Sequence, residues 1–472
     1  MRRDRIVPLI IAVALFMENM DSTVISTSLP AIAADIGTNP LALKLAVTSY
    51  LLSLAVFIPA SGWTADRFGA RSVFRAAIAV FMLGSIGCAL SSSLPDFVIA
   101  RIVQGMGGAM MTPVGRMVLV RTIDRRELIS AMTWVSTPAL IGPVIGPPVG
   151  GFITTYATWH WIFLINIPMG LLGIVLATYF IPDVKAEQRE PFDLTGMALA
   201  GIGIGGVAFG FSVLGLNFLP FSVVAALVIG GACFIAAYLV HAKHTPNPVL
   251  DLSLFRLPTF FASVTGGFIF RLGLGALPFL LPLMLQIGFG MTPFQSGMIT
   301  FATALGSMGM KWATTRILRR FGFRNILTIN AVVSAIFLGV CAFFTRSTPI
   351  AVMVTLLFTG GFFRSLQFTS INSIAYAEIE PKRVGRATAL VSVAQQLAMS
   401  SGVAVGAMAV ELTLHVRGST VIEAADFPPA FLAIALISAL SALIFWRLAP
   451  DAGAEMADRL PTPSDPSDQR AG

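Results

Sequence analysis

Long apolar runs, separated by short clusters of charged residues, Gly and Pro, fill this chain almost without interruption as far as Pro450. Each is about 20 residues or longer, the length an α-helix needs to cross the hydrocarbon of a bilayer. Roughly fourteen can be drawn, with limits near 6–34, 44–65, 73–93, 97–121, 131–156, 161–181, 194–215, 220–241, 259–287, 296–318, 324–345, 349–377, 384–412 and 428–448. The pattern predicts an all-α integral membrane protein. From Pro450 onward the chain is rich in Asp, Ser, Pro and Ala and lacks the apolar content to fold, so 450–472 is expected to be a disordered tail.

Charge orients the runs. Twenty-three of the thirty-one Lys and Arg residues fall in every second gap, beginning with Met1-Arg2-Arg3-Asp4-Arg5, and the opposite gaps hold only Lys44, Arg346 and Arg417. Cytoplasmic loops retain Lys and Arg, so both termini are expected in the cytoplasm of a multi-pass, bacterial-type inner-membrane protein. An even number of runs agrees with this. The first run looks like a signal peptide, with Ala31-Ile32-Ala33 as a small-residue site. Its length and its internal charges favour an uncleaved span.

Composition narrows the function. Of 472 residues 56% are hydrophobic and 11% charged, against about 25% charged in soluble domains. The net charge of +8 sits on the cytoplasmic loops, where anionic membrane lipids are its partner, and nucleic acid is not expected. Cys88, Cys233 and Cys341 lie isolated within apolar runs, and His160, His241, His244 and His415 are scattered, so no metal site, cofactor or enzyme active centre is expected; His241 and His244 read as a solvated loop. The GxGxxG stretch Gly201 to Gly206 lies in mid-run, where helix packing explains it, and no GxxxxGK[ST] occurs to power an ATP-driven pump.

An internal echo gives the organisation. Arg67-Phe68-Gly69-Ala70-Arg71 after the second run returns 253 residues later as Arg320-Phe321-Gly322-Phe323-Arg324 after the tenth. Repeated halves are the plan of many secondary transporters. The expected units are a six-helix bundle at 1–181, an extra central helix pair with its linkers at 182–258, a second six-helix bundle at 259–449, and the tail.

Several motifs carry candidate chemistry. Gly62-Trp63-Thr64-Ala65-Asp66-Arg67-Phe68-Gly69-Ala70-Arg71 ends the second run with an acid embedded among arginines, a contact that can lock and release a cytoplasmic gate; its second copy has Arg319 in place of Asp66. Arg101 lies inside the fourth run, where it costs about 2.5–3.5 kcal/mol to insert, so it should face a cavity and find a partner in Glu18 or Asp21. Gly142, Gly146 and Gly150 stack at intervals of four, with Pro143, Pro147 and Pro148 between them: a bent helix with one face open to close packing.

These stretches, with Met20 to Pro30 and Trp159 to Gly170, resemble the major facilitator superfamily, and specifically its fourteen-span drug:proton antiporter branch. Gly306 to Lys311 and Gly108 to Arg116 resemble a multidrug-resistance subgroup within it. The resemblance implies two six-helix bundles and two extra central helices, alternating access and export driven by protons. It implies a cytoplasmic gate at Gly62, Asp66, Arg67, Gly69 and Arg71, a proton relay at Arg101, and an antiporter helix at Gly142, Pro143, Gly146, Pro147 and Gly150. Ala70 departs from the gate pattern, which often has a basic residue there.

Ionisable residues at membrane depth are Glu18, Asp21, Arg101, Arg116, Arg271, Lys311 and Arg364, with Glu411 near a helix end. A transported proton needs a carboxyl that changes state in a cavity, so Glu18 or Asp21, neighbours on one helix, are expected to carry it with Arg101 as modulator. Asp21, Arg116, Arg271 and Arg364 are the expected charges of the substrate cavity. The excess of basic groups admits organic anions or anionic, citrate-like metal chelates as an alternative to the broader range of small organic compounds. The protein is expected to act as a monomer.

Overall fold

Helix α1 of the computed structural model spans Ile6–Thr27, followed by α2 (Pro40–Phe68), α3 (Ala70–Leu90), α4 (Leu94–Thr122), α5 (Leu128–Tyr156), α6 (Trp161–Phe180), α7 (Leu194–Val213) and α8 (Phe221–His244). The chain continues with α9 (Pro258–Gly288), α10 (Pro293–Phe321), α11 (Phe323–Phe343), α12 (Ile350–Ile374), α13 (Pro381–Arg417) and α14 (Ala424–Trp446). The structure describes residues 3–123, 127–182, 192–214, 216 and 219–457, and among these there is no β-strand. Among the described residues, twelve of these helices combine the length and apolarity needed to cross a membrane.

Two expectations change. The run 6–34 is not one span, because the chain tightens into a 3-10 turn at Ile25–Thr27 and Leu29–Asp35, with Pro30 in its first turn, forms a separate short helix. The tail is ordered further than expected: Ala452 packs with Phe323, Gly453 takes a positive φ of 71°, and Glu455–Ala457 form a 3-10 turn. Residues 458–472, and most of the polar stretch from Asp183 to Asp193, lie outside the described residues.

The packing repeats along the chain. Helix α1 packs on α5 and α6, α2 on α4, and α3 on α4 and α6; in the same order α9 packs on α13 and α14, α10 on α12, and α11 on α12 and α14. The echoed residues make the same turn twice, with Gly69 at φ 93° and Gly322 at φ 75°, a backbone that glycine adopts without strain. Arg67 lies over the Phe68 ring and Arg320 over the Phe321 ring, at 5.7 and 5.5 Å. The two halves meet where α2 crosses α13 and where α5 crosses α10. Helices α7 and α8 pack on each other, and α7 also touches α2 and α13.

The apolar core is divided unequally. At the helix ends near Lys44 and Tyr156, here the far end, one continuous cluster joins both halves, running from Val24, Leu29 and Phe97 through Leu280 and Met284 to Phe427 and Phe431. At the opposite ends, which carry Asp66, Arg121, Arg320 and Arg447 and are here the basic end, each half has a core of its own, Ile11, Phe74 and Val118 in one and Phe323, Ile371 and Phe445 in the other, while a smaller cluster links Ala55 of α2 to Leu390 and Val393 of α13 beside Ala200 and Tyr238 of the central pair. The halves thus share a larger buried core at the far end than towards the basic end.

Candidate functional site

A buried polar cluster occupies the first half. Asp21 is fully buried, and its carboxylate accepts from Arg101 Nη1 at 2.8 Å, Gln104 Nε2 at 2.9 Å and Asn166 Nδ2 at 2.8 Å. Arg101 also donates to Gln104 Oε1 at 2.5 Å and to the Ala46 carbonyl at 3.4 Å, and its guanidinium lies 4.2 Å from the Tyr50 ring centroid. Ser85 Oγ accepts from Gln104 and Asn166. Helices α4 and α6 therefore meet α1 at one carboxylate, and α2 and α3 hold the residues that reach it. Three donors and a full counter-charge offset the cost of burying it, whereas loss of any one charge would strand the other. Close packing of α4 makes this possible: a Cβ at Gly105 would lie 2.7 Å from the Tyr50 carbonyl, and one at Gly107 2.4 Å from the Phe81 nitrogen.

Glu18, one turn earlier on α1, lies apart from that cluster. It is half-buried and accepts from Thr112 Oγ1 at 2.8 Å, one turn of α4 before the exposed Arg116. The two acids read as neighbours on one helix thus face different surroundings.

At the basic end Asp66 pairs with Arg121 Nη2 at 2.5 Å, both partly exposed. Arg121, at the end of α4, was not among the expected gate residues. Arg67 stacks over Trp63 and Phe68, Arg71 reaches the Ile181 carbonyl at 3.5 Å, Gly69 forms the turn, and Gly62 faces Met117.

The glycine face of α5 lies against α1. A Cβ at Gly142 would meet the Phe16 carbonyl at 3.0 Å, at Gly146 the Thr23 hydroxyl at 2.1 Å, and at Gly150 the Val24 carbonyl at 2.3 Å. The helix runs unbroken through Pro138, Pro143, Pro147 and Pro148. A second face meets α10: a Cβ on Gly151 would sit 2.4 Å from the Pro293 carbonyl, and one on Gly297 2.3 Å from that of Pro147. Further bonds fasten the halves at this end, from Gln286 Nε2 to the Thr27 carbonyl at 2.9 Å and from the Phe294 amide to Thr155 Oγ1 at 3.1 Å. Lys44 adds an ion pair with Glu411 at 2.9 Å.

Between the halves, on the basic side of this seal, lies a cavity of about 380 Å³. Its wall is largely apolar, with Pro143, Pro147, Leu277, Leu281, Met308 and Phe368, and it carries the hydroxyls of Thr23, Ser26, Thr300 and Thr303. Its charged lining residues are Lys311 and Arg364. Asp21, Arg116 and Arg271 are not among them: Asp21 faces into the first half, Arg116 is exposed on α4, and Arg271 is buried in the second half, donating to Asn372 Oδ1 at 2.8 Å. Nor is His241 simply solvated, since its Nε2 lies 2.7 Å from Asp193, which also caps α7 by accepting from the Gly196 amide. Among the described residues no group of three or more His, Cys, Asp or Glu could hold a metal.

Gln104, Ser85, Asn166 and Thr112 complete the polar sites yet were not picked out as site residues from sequence. The signals were present: Gln104 stands three residues after Arg101 on one helix face, and Asn166 lies within the Trp159 to Gly170 stretch.

Two sets of helices with matching packing and a cavity between them give the architecture of a multi-pass membrane transporter. The sequence model of the Major Facilitator Superfamily matches residues 11–403 and 264–468. A multidrug resistance protein, MdtD, of Citrobacter koseri is 38% identical over 450 residues, and that of Salmonella heidelberg 39% over 452, each alignment covering 94% of both chains. In fold the chain is similar to a D-xylose–proton symporter (TM-score 0.66, 15% identity, 95% of this chain and 98% of that one) and to the nucleoside transporter NupG (TM-score 0.60, 15% identity, 94% and 98%). This chain belongs to the major facilitator superfamily.

Proposed function

We propose that this protein is a proton-coupled exporter of small organic compounds, of the multidrug type, working by alternating access across the cytoplasmic membrane. The observation that carries this reading is the uneven division of the core: a large cluster joins the halves at the far end, each half keeps a core of its own at the basic end with a smaller cluster linking them beside α7 and α8, and the cavity sits between the halves. Such an arrangement suits rocking of one half on the other, with the α2–α13 and α5–α10 crossings as the moving joints. The excess of Lys and Arg makes the basic end cytoplasmic, so the cavity would load from inside. Helices α5 and α10 complete fourteen spans, 1–181 and 259–449 are the two bundles, and α7 and α8 are the extra pair. The likeness to multidrug resistance proteins supports small organic compounds as cargo.

In this reading Glu18 binds and releases the transported proton, because it is half-buried and held by a single hydroxyl, while Asp21 and Arg101 form the rigid element that senses it. Asp66 and Arg121, with Gly62, Arg67, Gly69 and Arg71, belong to the cytoplasmic gate, and α5 with Gly142, Pro143, Gly146, Pro147 and Gly150 is the helix that seals against leak. The protein acts as a monomer among membrane lipids. A second reading, organic anions as cargo, is favoured by one observation: the charged groups on the cavity wall, Lys311 and Arg364, are both basic.

Proton flux in proteoliposomes, with cationic and anionic amphiphiles added one at a time, tests both readings. A cargo that drives proton movement in the wild type, with the movement lost in Glu18→Gln, is the expected result. Uncoupled movement of cargo, or full coupling in Glu18→Gln, would overturn the assignment.

A further inference from the structure

Lys44 and Glu411 are separated by 367 residues and belong to opposite halves, yet they form a close ion pair at the far end. The Lys44 ammonium is fully buried and donates to both carboxylate oxygens, at 2.9 and 3.0 Å, and to the Leu214 carbonyl at the end of α7, at 3.3 Å. These contacts satisfy its three donors. The Glu411 side chain keeps 15% of its surface accessible, so a proton can reach it while the ammonium beside it stays sealed.

We propose that Glu411 is a proton-binding site that unlocks the far end, distinct from the acid that carries the transported proton. When Glu411 takes up a proton its carboxylate becomes a neutral acid, and Lys44 is left buried and charged with no counter-charge, its acceptors now the carbonyl oxygens of the neutral acid and of Leu214. A buried charge stripped of its partner destabilises the conformation that buries it, so the pair parts and α13 leaves α2. The proton is bound and returned on the same face, so it gates the cycle without being transported.

Little else nearby titrates in competition. Helix α2 contributes Lys44, and α7 contributes a main-chain carbonyl. On α13 itself the next turn carries His415, which is exposed, and then Arg417. The acids at the start of α14, Glu423 just before it and Asp426 in its first turn, are both paired with Arg417. Gln286, the polar residue of α9 at this end, is neutral and bonded to Thr27.

This inference rests on the alternating-access reading, and a distance measurement separates the two. In the full chain with Cys88, Cys233 and Cys341 replaced, spin labels at Tyr156→Cys and Val421→Cys, exposed sites at the far ends of opposite halves, report opening in lipid nanodiscs. Acidification from about pH 8 to about pH 5.5 should raise the long-distance fraction, and Glu411→Gln should hold that fraction about threefold or more above wild type at the higher pH. The paired variant Lys44→Met with Glu411→Met, apolar on both sides, should fold, stay closed and ignore pH. A Glu411→Gln protein that stays closed at high pH and opens with acid as the wild type does would overturn the latch while leaving proton-coupled flux, and the carrier reading, intact. A wild type whose distances never respond to pH would overturn it too. Opening by acid without coupled flux would instead count against the carrier reading alone.

Discussion

Filling the glycine contacts between the halves should force the far end apart without harming either half. In Gly297→Ala the new methyl would lie 2.3 Å from the Pro147 carbonyl oxygen and 2.9 Å from its carbon; in Gly151→Ala it would lie 2.4 Å from the Pro293 carbonyl oxygen and 2.9 Å from the Phe294 Cα. All four are backbone atoms that no rotamer change can move, and ordinary contact begins near 3.4 Å, so α5 and α10 must separate by about 1 Å. Overpacking of this kind costs about 1–3 kcal/mol. The contact exists only while the seal is closed, so the cost falls on that conformation and moves the equilibrium towards opening by about 5- to 150-fold. The assay is the spin-label distance at the far end, read beside thermal unfolding in detergent. Two controls frame it: Gly230→Ala, which meets nothing within 4 Å, should change neither readout, and Gly150→Ala, 2.3 Å from the Val24 carbonyl within one half, should lower the unfolding temperature. A wild-type distance distribution in Gly297→Ala, or a loss of thermal stability matching that of Gly150→Ala, would refute the assignment of Gly297 to a contact that opens.

Asp21→Asn should destabilise the protein by about 3–5 kcal/mol, because Arg101 stays buried without its counter-charge, and pairing it with Arg101→Gln should recover much of the loss in a melting curve. Arg121→Gln should cost less than about 1 kcal/mol in stability, since its pair with Asp66 is partly exposed, and a drop as large as that of Asp21→Asn would contradict this placement. Beyond the spans, Asp251 titrates below the ordinary carboxylate range: burial alone would raise it, but bonds from Ser253 and Arg383 outweigh that. A lowered folded value means that its stabilisation is complete above the unfolded value of about 3.9 and fades as pH falls through the folded one. Protection from hydrogen exchange at Leu250 to Leu254, taken relative to the intrinsic rate at each pH, should therefore be flat from neutrality to about pH 5 and fall only in stronger acid, and Asp251→Asn should remove that dependence.

Membrane helices were legible in the sequence because an apolar run long enough to cross has few other solutions. The glycine face of α5 was legible for a similar reason: spacing by four fixes which residues share a face, though not that α1 would be the neighbour. Partners were harder to see. Asp66 stood beside Arg67 and Arg71 in the chain, yet helix geometry carries it to Arg121, 55 residues away. Lys44 read as a loop charge and Glu411 as a helix end, since nothing local says that the α2–α13 crossing brings them together. Arg271 and Arg364 read alike as charges within apolar runs, but position in a run does not say which way a side chain turns, and of the two Arg364 meets the cavity.

The closure at the far end is written chiefly in main-chain atoms, the carbonyls of Pro147, Pro293 and Thr27, whereas the cavity wall is written in side chains such as Leu277, Met308 and Phe368. Cargo preference can therefore drift by point substitution while the shutter keeps its shape. A lineage of such proteins can diversify what it expels without relearning how to close.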